Sequence, residues 1–89
     1  MKRNLIQDAL RLLRLPEDMD PSVPRITVLG REKMLVENVA GVRRCAPEEV
    51  AILTGTGLLL VRGEGLRVKE LDQCRALLVG DLRQWAFEA

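Results

Sequence analysis

From residue 23 to residue 41 the chain reads Val-Pro-Arg-Ile-Thr-Val-Leu-Gly-Arg-Glu-Lys-Met-Leu-Val-Glu-Asn-Val-Ala-Gly, and no other stretch restricts the possible folds as much. Side chains on a strand alternate between two faces, so an apolar period of two marks a half-buried strand. Ile26 and Val28 fall on one face and Thr27 and Leu29 on the other. After a turn from Gly30 to Lys33, Met34 and Val36 oppose Leu35 and Glu37. Asn38 and Gly41 then mark a corner, because both residue types tolerate positive φ. Two short strands therefore meet at a turn and are closed by an Asn-x-x-Gly corner.

The same punctuation runs to the end of the chain. Residues 50–54, a Gly55-Thr56-Gly57 turn and residues 58–62 make the clearest hairpin. Arg43 and Arg44 fall in a loop, and Pro47-Glu48-Glu49 reads as a loop leading into the next strand. Gly63-Glu64-Gly65 reads as a further turn before a strand at 66–69, and Gly80-Asp81 as a turn between strands at 75–79 and 82–87. Leu58, Leu59, Leu60 and Val61 are apolar without alternation, so that strand is covered on both faces or forms an interface. The pattern predicts about seven short strands at the spacing of a small sandwich, a partly open barrel or a short β-solenoid.

Ahead of the β pattern the period is helical. Leu5, Ile6, Ala9, Leu10, Leu12 and Leu13 repeat on one face, with Lys2, Arg3, Gln7, Asp8, Arg11 and Arg14 opposite. Pro16 stops this helix, since proline lacks an N–H donor and disfavours α geometry in Leu15. The fold class is thus mainly β with one N-terminal helix (α+β). The chain divides into an amphipathic helix at 1–15, a Pro-rich linker at 16–24 with Pro16, Pro21 and Pro24, and a β domain at 25–89. The apolar helix face must be covered by the sheet, a partner or lipid, and Leu5, Leu12, Arg11 and Arg14 are its candidate contact residues.

Composition removes several function classes. The chain has 89 residues and no His, which excludes a Ser-His-Asp triad, a Cys-His pair and an imidazole metal site. Its two cysteines, Cys45 and Cys74, are too few for a Cys₄ zinc site and read as small, buried or half-buried residues of a cytosolic protein. Neither glycine pair opens a helix, so no phosphate cradle is expected. Net charge is +1, and the aromatic residues are Trp85 and Phe87 alone, so neither a cationic field nor a base-stacking platform is present for nucleic acid. A small anion- or nucleic-acid-binding barrel using Arg25, Arg31, Arg43, Arg44 and Arg62 is the alternative reading. Asp8, Arg11 and Arg14 interrupt any signal-like apolar run, and nothing approaches the ~20 apolar residues of a membrane span. No catalytic, cofactor or metal residue is predicted.

The polar residues of interest are therefore Arg25, Glu37, Asn38 and Gly41 at the corner, with Glu37 expected to pair with Arg25 or Arg31 across the hairpin. Trp85 and Phe87 alternate on one face of the last strand and are expected as core plugs or an oligomer seam. A chain this short buries only ~60% of its unfolded surface, and self-association is a common remedy for a thin core.

Taken together these residues resemble the YabP/YqfC family of sporulation proteins of endospore-forming Firmicutes, its YqfC branch most. The resemblance rests on Pro24-Arg25-Ile26-Thr27, Gly30, Val36-Glu37-Asn38 and Gly41, then Gly57, Gly63, Leu66, Gly80 and Phe87 in order. Val39 and Ala40 stand where relatives often carry His and a basic residue. The resemblance implies a non-enzymatic protein made in the mother cell and needed for assembly of the spore envelope. It also implies a cytoplasmic location at or near the forespore membrane, and a membrane protein as partner.

Overall fold

The computed structural model describes residues 22–88. The helix expected at 1–15, with Leu5, Arg11, Leu12 and Arg14, and the linker up to residue 21 lie outside the described residues. The described part is all β: β1 (Arg25–Leu29), β2 (Lys33–Glu37), β3 (Val39–Ala46), β4 (Glu49–Thr54), β5 (Gly57–Leu71) and β6 (Arg75–Glu88). They form one open antiparallel sheet in the order β1-β2-β6-β5-β4-β3. Pairing is antiparallel throughout, with β2 beside β6 and not beside β3, which is not the parallel stacking of a solenoid.

The architecture is two short hairpins grafted onto one long ribbon. β5 and β6 pair from Leu58↔Glu88 to Leu71↔Ala76. The β1–β2 hairpin adds to the first part of β6, where Met34 faces Leu78, and the β3–β4 hairpin adds to the first part of β5, where Ile52 faces Leu59. Each hairpin loop then hydrogen-bonds into the middle of the ribbon. Leu82 N–H donates to the Arg31 carbonyl (2.8 Å) and Gly80 N–H to that of Glu32 (3.1 Å). Leu66 N–H donates to the Pro47 carbonyl (2.8 Å) and Gly63 N–H to that of Glu48 (3.2 Å).

The expected turns at 63–65 and 80–81 are not turns. Both lie inside strands, at register shifts between Arg62 and Gly63 and between Glu64 and Arg67, so about seven short strands become six, two of them long. Bulges bend a strand without ending it and use the same glycines a turn would. A Cβ on Gly80, at φ +139, would lie 2.7 Å from the Gly65 carbonyl oxygen, and one on Gly63 would lie 1.9 Å from that of Asp81. The partner backbone at Asp81, Gly65 and Leu66 can approach this closely only because Gly63 and Gly80 carry no side chain. Residues 39–46, read partly as loop, are the edge strand β3, which puts Arg43 and Arg44 on a strand. The Gly55-Thr56 turn is as expected, fixed by Thr54 Oγ1 donating to the Gly57 carbonyl (2.7 Å).

The sheet is curled, and chain connectivity requires it. β2 and β3 lie four strand steps apart and beside opposite ends of the β5–β6 ribbon, so a flat sheet would hold them more than about 19 Å apart. Only Asn38 links them, and two Cα steps span at most about 7.6 Å. The concave side holds the core: Met34, Val36, Val39, Val50, Ile52, Leu59, Val61, Leu66, Ala76, Leu78 and Leu82, with Ile26, Val28 and Val68 at its margin. The alternation of β1 and β2 matches the sequence reading residue for residue. On the convex side Leu35 and Leu77 face each other in register and are also buried, while in the unalternated run Leu59 and Val61 are buried on the concave face and Leu58 and Leu60 only half-buried on the other.

Three substitutions separate packing from backbone geometry. Ile52→Ala should lower unfolding free energy by about 2–5 kcal/mol through cavity formation. Gly80→Ala should cost about 2 kcal/mol or more by strain at the strand crossing. Gly41→Ala, where no atom lies within 4 Å of the added Cβ and φ is not positive, should stay within about 0.5 kcal/mol of the parent in denaturant titrations.

Candidate functional site

The corner singled out in the sequence sits where the curl closes. Asn38 holds φ at 64, the one non-glycine positive φ among the described residues. Its side-chain amide donates to the Val23 carbonyl (2.8 Å), tying the approach to β1 onto the exit of β2. Val39 N–H donates to the Cys74 carbonyl (2.7 Å), and Val39 pairs with Thr54. One residue step therefore joins β2, β3, β4 and the β5–β6 turn. Gly41 is brought near the corner by sequence but shares none of its geometry: it lies at a bulge of β3 with ordinary φ. The left-handed position expected of both residues is carried by Asn38 alone, because a single turn residue completes the corner before β3 begins.

Beside Asn38 runs a row of charge across three strands. Arg25 faces Glu37, and Glu37 faces Arg75. The Arg25 guanidinium lies 3.9 Å from Glu37 Oε1, the pairing expected from the hairpin. Both side chains are mostly enclosed, at 18% and 15% exposure, so this pair is screened less than a surface ion pair. Glu37 Oε1 is buried without a hydrogen bond within the described residues, which makes the neighbouring guanidinium its main compensation. Arg75 in turn binds the Asp72 carboxylate. The Gln73 N–H, donating to Asp72 Oδ1 (2.6 Å), and that guanidinium hold the Asp72 carboxyl below its usual range.

Four other arginines, Arg31, Arg44, Arg62 and Arg83, lie beside acids. Arg31 lies 3.4 Å from Asp81, and Glu49 takes both Arg62 (3.0 Å) and Arg44 (3.7 Å). Arg43 is exposed. The five arginines of the alternative reading do not converge on one surface hollow. A different one, lined by Arg31, Glu32, Lys33, Arg67, Lys69 and Asp81, opens between the β1–β2 turn and the ribbon. Its residues come from the β1–β2 turn and three strands, so no single sequence period joins them. No group of three or more His, Cys, Asp or Glu side chains converges among the described residues.

Trp85 and Phe87 are not core plugs. They are 40% and 46% exposed, at the end of β6 where no second strand flanks it among the described residues. Cys45 and Cys74 are free and exposed, against the expectation of burial, because β3 is an edge strand and Cys74 lies in a turn. No helix among the described residues is long and apolar enough to cross a membrane.

The YabP family profile matches residues 21–88. The chain belongs to the YabP family. It is also similar to uncharacterised protein YqfC of Bacillus subtilis (strain 168), with 29% identity over 72 residues, covering 81% of this chain and 77% of the relative. No solved structure matches it at a significant level. Membership in this YabP/YqfC group marks the chain as sporulation-related, and the matched span takes in all six strands.

Asn38→Ala should lower stability by about 1–3 kcal/mol, since it loses an amide hydrogen bond and strains a positive φ. Asn38→Gly should recover the backbone part of that loss in thermal melts. The depressed Asp72 carboxyl stabilises the folded state above its ordinary pKa of 3.8, and the effect fades as pH falls through the lowered value. Melting curves of Asp72→Asn and the parent should therefore differ at neutral pH and converge in acid.

Proposed function

We propose that this chain is a non-enzymatic assembly protein of sporulation that acts in the mother cell in forming the spore envelope, coat or cortex. It works by self-association and by docking on a membrane-anchored partner at the forespore surface. The observation that carries this reading is the open sheet. The outer side of β1 and the last part of β6 present unpaired backbone among the described residues, and Trp85 and Phe87 lie exposed beside the second of these. Exposed edges of this kind recruit a further strand from a partner.

The polar signature at Arg25, Glu37 and Asn38 supports the same reading from the other side. Its groups are engaged with the fold itself, in an ion pair, a backbone hydrogen bond and a left-handed turn. Such groups shape a scaffold and leave no nucleophile–base pair to build a reaction on. Nucleic acid is not proposed as a partner, since Arg25, Arg31, Arg44 and Arg62 each have an acid beside them. The cationic amphipathic pattern of Leu5, Arg11, Leu12 and Arg14 supplies the proposed second contact, to the partner or to anionic lipid.

A fluorescent fusion in a sporulating host tests this directly. The fusion should ring the forespore from the mother-cell side, and deletion should leave vegetative growth normal while producing spores that lose lysozyme or heat resistance. Resistant spores from the deletion strain, or a diffuse signal in both compartments, would sink the reading.

A further inference from the structure

We propose that the last strand is a homodimer seam, in which β6 pairs antiparallel with β6 of a second copy about a two-fold axis at Ala86. This deepens the self-association in the reading above by naming its surface and partner.

The first support is which way the backbone points. Thr54 and Gly57 close a two-residue turn, so they exchange hydrogen bonds. Alternation along β5 then aims Leu59 and Val61 at β4, and Leu58, Leu60 and Arg62 at β6. Their partners Glu88, Ala86 and Gln84 turn inward to β5. The N–H and C=O groups of Trp85 and Phe87 therefore point away from β5, along the edge that no strand pairs among the described residues. β2 covers β6 only from Arg75 to Val79, and the β1–β2 loop ends its contact at Leu82.

The second support is the face on which the rings lie. Trp85 faces Val61 and Phe87 faces Leu59. Val61 and Leu59 are fully buried core residues, so both rings stand on the concave, core-bearing side. They prolong two core rows past the end of the sheet and stay 40% and 46% exposed there. Trp85 and Phe87 are the only aromatic residues of the chain. Rings that continue a core across an open edge gain most when a further sheet continues the same face.

The third support is register, which selects a second copy of this chain as the occupant. A two-fold axis perpendicular to the sheet keeps both concave faces on one side, so opposed residues must have the same parity. With Ala86 opposite its own counterpart, Trp85 opposes Phe87 of the other copy, twice. Gln84 opposes Glu88, so no like charges meet, and about four main-chain hydrogen bonds form from Trp85 and Phe87. Shifting the axis to Trp85 would instead put Arg83 against Phe87.

The test uses the full chain. Sedimentation of the parent should show a monomer–dimer equilibrium. Trp85→Thr with Phe87→Thr should weaken it by roughly thirtyfold or more while circular dichroism keeps the β signature. Phe87→Pro, which removes one edge donor without touching the β5 ladder, should do the same. A non-hydrogen-bonded pair brings Cα atoms to about 4.5 Å, inside disulfide reach. In a Cys45→Ser, Cys74→Ser background, Ala86→Cys should then give a covalent dimer on mild oxidation, and Gln84→Cys should not. A parent that stays monomeric overturns the seam. So does a dimer that survives the double threonine variant and fails to crosslink at position 86, although that result keeps self-association itself.

Discussion

A single residue carries the chain from the second strand of the sheet to the sixth, and the rest of the structure depends on that step. Asn38 can make it only if the two ends of the sheet come together, so the one-residue link obliges the sheet to curl. Curling creates the concave side on which the core residues of β2, β4, β5 and β6 meet. The step also needs a left-handed backbone, which asparagine tolerates better than any residue but glycine. Asparagine adds what glycine lacks: an amide that reaches the Val23 carbonyl and holds the approach to β1 against the corner. The local chemistry of one side chain thus fixes a feature of the whole molecule.

The bent ribbon is the second half of that arrangement. Curling a sheet without breaking its ladders requires bulges and bare backbone at the crossing. Gly63, Gly65 and Gly80 provide both, and the two hairpin loops hydrogen-bond into the same region. Each hairpin is thereby joined to the ribbon along its strand and again at its loop. An 89-residue chain with a modest core gains from this double attachment, because the hairpins cannot fray independently of the bend.

For function, the fold separates two kinds of polar and apolar residue that look alike in the sequence. Arg25, Glu37 and Asn38 are distinctive yet committed to architecture, whereas Trp85 and Phe87, the only aromatic residues, are left exposed at a strand edge. Membership in the YabP family ties the chain to sporulation. In the proposed assembly role the open edges would be the physical handle: recruitment by strand addition, with specificity from the side chains that flank the edge.

Local pattern determined much of this protein. The alternation of β1 and β2, the Gly55-Thr56 turn, the Arg25–Glu37 pair and the need for a corner at Asn38 were all legible, because each depends on residues close together in the chain. The glycines at 63, 65 and 80 were legible as breaks in pattern but not as bulges. A turn and a bulge demand the same backbone freedom, and only the partner strand distinguishes them. The exposure of Trp85, Phe87, Cys45 and Cys74 was likewise invisible, since edge and centre strands carry the same period-two code. The sequence by itself determined which residues turn, alternate and pair across a hairpin. The order of strands, the curl and the identity of the free edges belong to the tertiary structure, because they follow from how distant segments pair.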